Sequence, residues 1–129
     1  MPTVARMEPG DLHGLVQDVY NARDVDALVA LYEPDARIFG PEGPVQGHDA
    51  IRKFWEDSVA LDATGEIVTQ YALIQGDIAL LSNRWTMQIG DDQVSATTAE
   101  VAHRQLDGSW LYMIDNPDGA STGVLADAL

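Results

Sequence analysis

The sequence predicts an α+β fold, in which three N-terminal helices pack on a curved, mainly antiparallel sheet that encloses a small-molecule pocket. Two observations support this class. The first half of the chain carries three apolar stripes with helical spacing, and the second half carries long β-type runs separated by Gly/Asp pairs. Because 129 residues is close to the usual size of one domain, we expect residues 1–129 to share a single core.

The charge balance argues against two classes of partner. The chain has 21 acidic residues against seven lysines and arginines, a formal net charge of −14, and its basic residues are scattered. Nucleic acid and anionic membrane surfaces repel such a protein, so we expect neither as a partner. The sequence has no run of 18 apolar residues, no export signal and no cysteine, which predicts a soluble cytoplasmic protein without disulfides.

The first two helices are predicted from apolar residues that share one face. Asp11 precedes the first stripe and Asp24 precedes the second, and both are suitable N-caps. The first stripe consists of Leu12, Leu15, Val16, Val19 and Tyr20. The second stripe consists of Val25, Leu28, Val29 and Tyr32. We expect the second helix to end at Glu33-Pro34, because proline disfavours a helical residue before it.

A short strand is expected over residues 36–39, followed by a sharp turn of the chain. The Gly/Pro-rich segment 40–44 should break all regular structure. Asp49 can then cap a third helix that runs out near residues 63–65. Its apolar face consists of Ile51, Phe54, Trp55 and Val59.

From Glu66 onward the pattern predicts an antiparallel meander. Each break between apolar runs contains glycine and aspartate, which is a hairpin signal. The turns are expected at Gly76-Asp77, within Gly90-Asp91-Asp92 and at Asp107-Gly108. The strands are expected near 66–75, 78–89, 93–106 and 109–115.

Three segments, together with the order of the elements, resemble a known superfamily. They are DVDALVALYEPDA at 24–36, VQGHDAIRKFW at 45–55, and DGSW at 107–110 leading to DNP at 115–117. The chain resembles the nuclear transport factor 2-like superfamily, which includes ketosteroid isomerases and SnoaL-like polyketide cyclases. The resemblance implies a cone-shaped fold, a pocket between the concave face of the sheet and the helices, and a homodimer through the other face.

The same resemblance places two unreactive residues where ketosteroid isomerases have their chemistry. Gly40, just before Pro41, stands where those enzymes place the proton-shuttling aspartate. Val16 stands where they place the oxyanion-hole tyrosine, and only their second oxyanion-hole acid has a counterpart, Glu100. The resemblance therefore implies that steroid isomerisation by the familiar mechanism is disfavoured.

The turns also predict which strand residues face each other. A two-residue turn at Asp107-Gly108 sets Glu100 opposite Asp115 and Ala102 opposite Met113. β-Carbons of directly opposed residues lie only ~4.5–5.5 Å apart, so two carboxylates there would repel. One acid of the pair should resist ionising, which makes Glu100 and Asp115 the candidate catalytic acid and base.

Two other turns set the remaining polar residues of the predicted pocket. A turn at Asp91-Asp92 sets Asn83 against Glu100, whereas a turn at Gly90-Asp91 sets Asn83 against Thr98, and the sequence leaves both open. A turn at Gly76-Asp77 adds Gln70 opposite Asn83. The predicted pocket residues are Val16, Tyr20, Tyr32, Phe39, Trp55, Gln70, Asn83, Trp85, Met87 and Met113.

Several residues have a structural alternative. Asp115 could instead accept hydrogen bonds from backbone amides of the turn at 116–119. His13 and His48 are expected to be exposed, and His103 is expected to be structural. The opposite sheet face should carry an apolar dimer interface of Val101, His103, Trp110, Tyr112 and Ile114.

No metal-ligand spacing or nucleotide-binding motif occurs in the sequence, so no cofactor is expected. The function predicted is therefore binding of a small apolar metabolite, with cofactor-free acid/base chemistry of the isomerase, cyclase or hydrolase type as one possibility. A non-catalytic ligand-binding or dimerisation module is the alternative.

Overall fold

The computed structural model describes residues 8–119. Its helices are α1 Asp11–Asn21, α2 Val25–Val29 and α3 His48–Val59. Its strands are β1 Tyr32–Gly40, β2 Gly43–Gln46, β3 Thr64–Gln75, β4 Ile78–Ile89, β5 Asp92–Thr97, β6 Ala99–Arg104 and β7 Trp110–Asn116. They form one sheet in the order β2-β1-β7-β6-β4-β3, with β5 also paired to β4. The β1–β7 pair is parallel, and the other pairs are antiparallel. The α+β fold is as predicted.

One of the three predicted helix caps is present. The Asp24 carboxylate accepts a hydrogen bond from the Ala27 N–H at 3.0 Å, so Asp24 caps α2. The N-caps of α1 and α3 are glycines, Gly10 and Gly47, one and two residues earlier than the predicted Asp11 and Asp49. Both aspartates lie instead in the first helical turn, where they still face the positive end of the helix dipole.

The second helix ends earlier than predicted. It stops at Val29, and Tyr32 already belongs to β1, which is also longer than the short strand expected over 36–39. Pro34 is tolerated within β1 because the pairing of β1 with β7 is interrupted between Tyr32 and Arg37, so no ladder hydrogen bond is lost there. Tyr32 is therefore a strand residue, not the last residue of a helical stripe.

Residues 40–44 also differ from the prediction. Gly40 pairs with Gly43, which leaves Pro41 and Glu42 as a two-residue turn between β1 and β2. Gly43 has φ of 122°, a left-handed conformation that glycine adopts without a steric penalty. The segment is a tight hairpin and not a break in regular structure.

The turns after Gln75 and Ile89 contain two residues each. Gln75 pairs with Ile78 across Gly76-Asp77, as predicted, and Ile89 pairs with Asp92 across Gly90-Asp91. The second pairing selects one of the two open alternatives, because it places Asn83 beside Thr98. The Thr98 N–H donates to the Asn83 carbonyl at 2.8 Å, and the strand predicted over 93–106 is interrupted there between β5 and β6.

The last hairpin contains two deviations that cancel. Its turn has three residues, 106–108, because Arg104 pairs with Trp110 and the Gln105 N–H donates to the Ser109 carbonyl. A bulge at Met113 then shifts the register by one residue. Beyond the bulge Glu100 pairs with Asp115, as predicted, whereas before it Ala102 pairs with Tyr112 and not with Met113.

The core lies between the helices and the concave face of the sheet. It includes Leu12, Leu28 and Ile51 from the helices, all fully buried. Trp110 and Tyr112, predicted on the outer face, are also buried in this core, because the bulge reverses the facing of residues before it. None of the helices within residues 8–119 is long and apolar enough to span a membrane.

Candidate functional site

A cavity of about 350 Å³ lies between the helices and the concave face of the sheet. Eight of the ten predicted pocket residues line it. The helices and β1 contribute Val16, Tyr20, Tyr32, Phe39 and Trp55. Strand β4 contributes Asn83, Trp85 and Met87. Most of the lining is apolar, and Glu100 and Asp115 lie in it beside Asn83 and Thr98; these four residues are called the polar end of the cavity.

Gln70 and Met113 do not line the cavity. Gln70 is the extra residue of a bulge in β3, because Thr69 pairs with Asn83 while Tyr71 pairs with Ser82. Met113 is the extra residue of the bulge in β7, and 37% of its surface is exposed. In both strands a single inserted residue turns the side chain away from the concave face.

Glu100 is buried, and its carboxylate is held by one donor from β4 and one from the break between β5 and β6. The Asn83 side-chain amide donates to Oε2 at 2.8 Å, and the Thr98 hydroxyl donates to Oε1 at 2.7 Å. The Asn83 N–H in turn donates to the Thr98 hydroxyl at 2.9 Å. Because both oxygens are hydrogen-bonded, the Glu100 side chain is fixed against the sheet.

His13 is a member of this site that the sequence prediction placed on the surface. It is almost completely buried, and its Nε2 lies 3.4 Å from Oε1 of Glu100. Its Nδ1 lies 3.0 Å from the Thr69 hydroxyl, and its ring stacks on Tyr112. The spacing of His13 from Val16 indicates the same helix face, which is the signal that could have found it.

Asp115 is the carboxyl group of the site whose pKa is shifted. Its Oδ2 accepts a hydrogen bond from the Tyr32 hydroxyl at 2.6 Å. Burial, followed by the negative charge of Glu100, raises the pKa of Asp115 to about 8, although the Tyr32 hydrogen bond acts in the opposite direction. The carboxyl partner is a phenol and not the amides of the turn at 116–119, so that structural alternative is wrong.

The tyrosines around the pair stay neutral at physiological pH. Burial, together with the nearby carboxylates, raises the pKa of both Tyr32 and Tyr112 well above the usual value of a phenol. The Tyr32 backbone carbonyl accepts a hydrogen bond from His48 at 2.9 Å, which fixes the start of β1. Tyr32 is thereby held as a donor to Asp115. His48 is half-buried, so its predicted exposure was wrong.

The other candidate positions contribute no proton-transfer group. Gly40 and Val16 both line the cavity but carry no ionisable side chain. His103 lies outside the cavity, with Nδ1 2.8 Å from Oε2 of Glu33. No group of three or more His, Asp or Glu side chains within residues 8–119 is arranged to hold a metal ion. Within the described wall, Glu100 and Asp115 are the carboxyl groups that face each other across neighbouring strands.

Solved structures of other proteins share this fold. A nuclear transport factor 2-like protein of unknown function from Shewanella oneidensis is 15% identical, with 90% of this chain and 98% of that chain covered and a TM-score of 0.74. A similar protein from Pseudomonas putida is 20% identical, with 88% and 85% covered and a TM-score of 0.71. A protein of unknown function with a cystatin-like fold from Nostoc punctiforme is 19% identical, with 84% and 86% covered and a TM-score of 0.68.

These identities show the shared fold alone. None of the curated proteins matches the chain at a significant level. The model of the SnoaL-like domain family matches residues 13–115, a stretch that contains His13, the eight cavity residues and both carboxylates. The chain therefore belongs to the SnoaL-like domain family, within the nuclear transport factor 2-like superfamily.

Proposed function

We propose that this protein binds a small, largely apolar metabolite in the cavity and exchanges a proton with it through Asp115, without a cofactor. One observation carries the proposal: Glu100 and Asp115 face each other across β6 and β7 at the polar end of an apolar cavity. Perturbed carboxyl pairs in apolar pockets are typical of acid/base sites. Isomerisation, cyclisation and hydrolysis are the reaction types that such a pair can serve.

The two carboxyl groups have different surroundings, which supports different roles. Glu100 has both oxygens hydrogen-bonded to Asn83 and Thr98, so its carboxyl group is fixed in position. Asp115 has Tyr32 on Oδ2, and its Oδ1 accepts no hydrogen bond from the part of the chain that the structure describes. A pKa of about 8 lets Asp115 give and take a proton near neutral pH, as a general acid and base require.

The test is the titration of Asp115, followed by ¹³C NMR of its side-chain carboxyl group. We expect a midpoint near pH 8 in the native protein and a lower midpoint in Glu100→Gln, because this substitution removes the like charge. Glu56→Gln, which removes an exposed carboxylate outside the cavity, is the control and should leave the midpoint unchanged. An Asp115 midpoint near 4, the ordinary value of aspartate, would remove the basis for acid/base chemistry.

A non-catalytic ligand-binding module is the second candidate. The observation that favours it is that Gly40 and Val16 line the cavity at the positions where related isomerases place reactive groups. The two candidates differ in what happens to a bound ligand over time. A ligand recovered chemically unchanged after prolonged incubation, with equal binding to Asp115→Asn, would favour the binding module.

We also propose that the protein forms a homodimer through the outer face of the sheet. A row of apolar residues crosses four strands there through the pairs Leu73 with Leu80, Leu80 with Val101, and Val101 with Ile114. Leu73, Leu80 and Ile114 are each more than 40% exposed in the single chain. Continuous apolar surface of this kind favours association with a second copy.

Sedimentation equilibrium tests this dimer. Leu80→Lys should shift the protein to a monomer, because it places a charge in the centre of the row. Leu106→Lys makes the same change at an exposed loop leucine outside the row and should leave the mass unchanged. A monomeric native protein at millimolar concentration would contradict the proposal.

The cytoplasm is the proposed location. The 129-residue chain has no cysteine, so its stability needs no oxidising compartment. Cell fractionation with an antibody against the native protein would test this.

A further inference from the structure

The cavity wall is rich in aromatic side chains. Seven of them line it, including Trp55, Trp85 and Tyr112. The faces of aromatic rings carry negative charge density and attract organic cations, with about 0.5–2 kcal/mol for each well-placed contact. A wall of this composition is suited to an apolar skeleton and, equally, to a positively charged group attached to it.

The charges of the wall are all of one sign. Glu100, Asp115 and Asp118 line the cavity, and no lysine, arginine or histidine is among the described lining residues. Basic side chains elsewhere are held by other groups: Arg104 pairs with Asp77, and Lys53 pairs with Asp57. With a formal net charge of −14, the whole chain adds a field that attracts cations and repels anions.

One buried acceptor at the polar end of the cavity lacks a donor. The side-chain oxygen of Asn83 accepts no hydrogen bond within the described residues, while its amide nitrogen donates to Glu100. Two buried nitrogens near this end also have no hydrogen-bond partner there, the Trp55 indole nitrogen and His13 Nε2. A ligand that brings N–H donors would satisfy Asn83 and an ionised Asp115 together, whereas a carbonyl group has no donor for Asn83.

We propose that the ligand of this cavity is an amphiphilic amine, with an apolar skeleton among the aromatic rings and one protonated nitrogen at Asp115 and Asn83. The inference rests on the proposed ligand-binding function and narrows it to one chemical class. Neutral ketones and carboxylic acids of the same size are expected to bind less tightly, because neither brings a positive charge to Glu100 and Asp115.

Binding of such an amine should release a proton. The free site holds a proton on Asp115, whose neighbours Glu100, Tyr32, Tyr112 and Asp118 are all acidic or phenolic. An incoming ammonium group favours the carboxylate, so the Asp115 proton passes to the solvent while the amine keeps its own. His13 is the basic residue nearest to Glu100, with Nε2 3.4 Å from Oε1.

The experiment compares three probes with one rigid skeleton: 1-adamantanamine, 1-adamantanol and 1-adamantanecarboxylate. Calorimetry should show the amine binding about tenfold or more tightly than the alcohol, with the carboxylate weakest. In buffers of different ionisation enthalpy at pH 7, the amine should release about 0.9 proton, the protonated fraction of an acid with a pKa of about 8. At pH 9 the release should fall to about 0.1, while the amine, with a pKa roughly that of lysine, stays charged.

Two aspartate-to-asparagine variants complete the design. Asp115→Asn should remove the proton release and lower the affinity for the amine about tenfold, while the affinity for the alcohol changes less than about twofold. Asp57→Asn removes an exposed carboxylate on α3 and should leave all three affinities unchanged.

The outcomes separate this inference from the function on which it rests. Equal or tighter binding of the alcohol or the carboxylate would overturn the amine proposal and leave the ligand-binding function standing. Binding of none of the probes, judged by calorimetry and by the fluorescence of Trp55 and Trp85, would overturn the amine proposal as well. The Asp115 titration described above would then decide the acid/base function independently.

Discussion

Two Glu–His pairs lie on opposite faces of the same sheet, and they differ in almost everything but residue type. His103 and Glu33, on the outer face, are 2.8 Å apart with side chains 41% and 16% exposed. His13 and Glu100, on the concave face, are 3.4 Å apart but only 1% and 4% exposed. The outer pair is closer, yet water screens it, while the inner pair lies where electrostatic interactions are strongest.

The two pairs also differ in what surrounds them. Gln105 is the further hydrogen-bond partner of Glu33. Glu100 has Asn83 and Thr98 on its oxygens and the carboxyl of Asp115 on the neighbouring strand. The comparison teaches that burial and the hydrogen bonds on the acid, more than a short distance between acid and histidine, distinguish the candidate site from a surface ion pair.

The largest effect is expected from Glu100→Ala. The substitution leaves the buried donors of Asn83 and Thr98 without their acceptor and removes the carboxylate beside His13, so the free energy of unfolding should fall by about 3 kcal/mol. Urea denaturation followed by circular dichroism measures it. Glu33→Ala, the matched change in the outer pair, should cost less than about 1 kcal/mol. Equal losses in the two variants would contradict the difference drawn between the faces.

A pH-dependent effect is expected from Asp115→Asn. Between about pH 4 and pH 8 the folded protein keeps the Asp115 proton, while the unfolded chain, with an ordinary aspartate, releases it. The stability of the native protein should therefore fall as pH rises through this window and level off above it. In Asp115→Asn this contribution should vanish, giving a gain on the order of 2 kcal/mol over the native protein at pH 9.

Thermal melts from pH 5 to pH 9 measure this difference. Asp107→Asn, which removes an exposed carboxylate in the turn before β7, should not remove the pH-dependent contribution. If the native protein and Asp115→Asn showed the same change of stability with pH, Asp115 would be ionised in the folded state throughout this range.

A smaller effect is expected from Tyr32→Phe. It removes the hydroxyl that donates to Asp115 at 2.6 Å, and with it the contact that lowers the pKa of this carboxyl. The Asp115 midpoint should rise further, and the stability should fall by about 1 kcal/mol. ¹³C NMR titration measures the first quantity. A downward shift of the midpoint would mean that the phenol does not favour the carboxylate.

The smallest effect is expected from His103→Ala. An ion pair this exposed contributes about 0.2–1 kcal/mol, and salt weakens it further. Urea denaturation at low and high salt should therefore give nearly the same free energy for this variant. A loss above 2 kcal/mol would show that the outer pair also has a structural role.

The fold was predictable because its signals are periodic. Apolar stripes with helical spacing and Gly/Asp turns can be identified from the sequence alone, and they correctly predicted three helices and most of the strands. The opposition of Glu100 and Asp115 was also predicted, but only because a longer turn and a bulge compensate each other. The predicted facing was wrong for Gln70, Met113, Trp110 and Tyr112, since a bulge leaves no mark in the apolar pattern.

The remaining part of the site depended on tertiary contacts. In the sequence, His13 is a polar residue near the start of a predicted helix. It is buried because β3 and β6 pack against α1, which places Thr69 and Glu100 next to its ring. Tyr32 reads as the end of a helical stripe, and the parallel pairing of β1 with β7 is what brings its hydroxyl to Asp115. No spacing rule in the sequence encodes either approach.

The three-residue turn and the Met113 bulge are two points at which the β6–β7 hairpin can change in length. Shortening the turn at 106–108 to two residues keeps Glu100 opposite Asp115 as long as Gln105 and Ser109 still close the hairpin. Deletion of Met113 removes the bulge and keeps that pair as well. A deletion elsewhere in either strand would instead move Asp115 out of register, so gaps between homologues should fall at the turn or at the bulge.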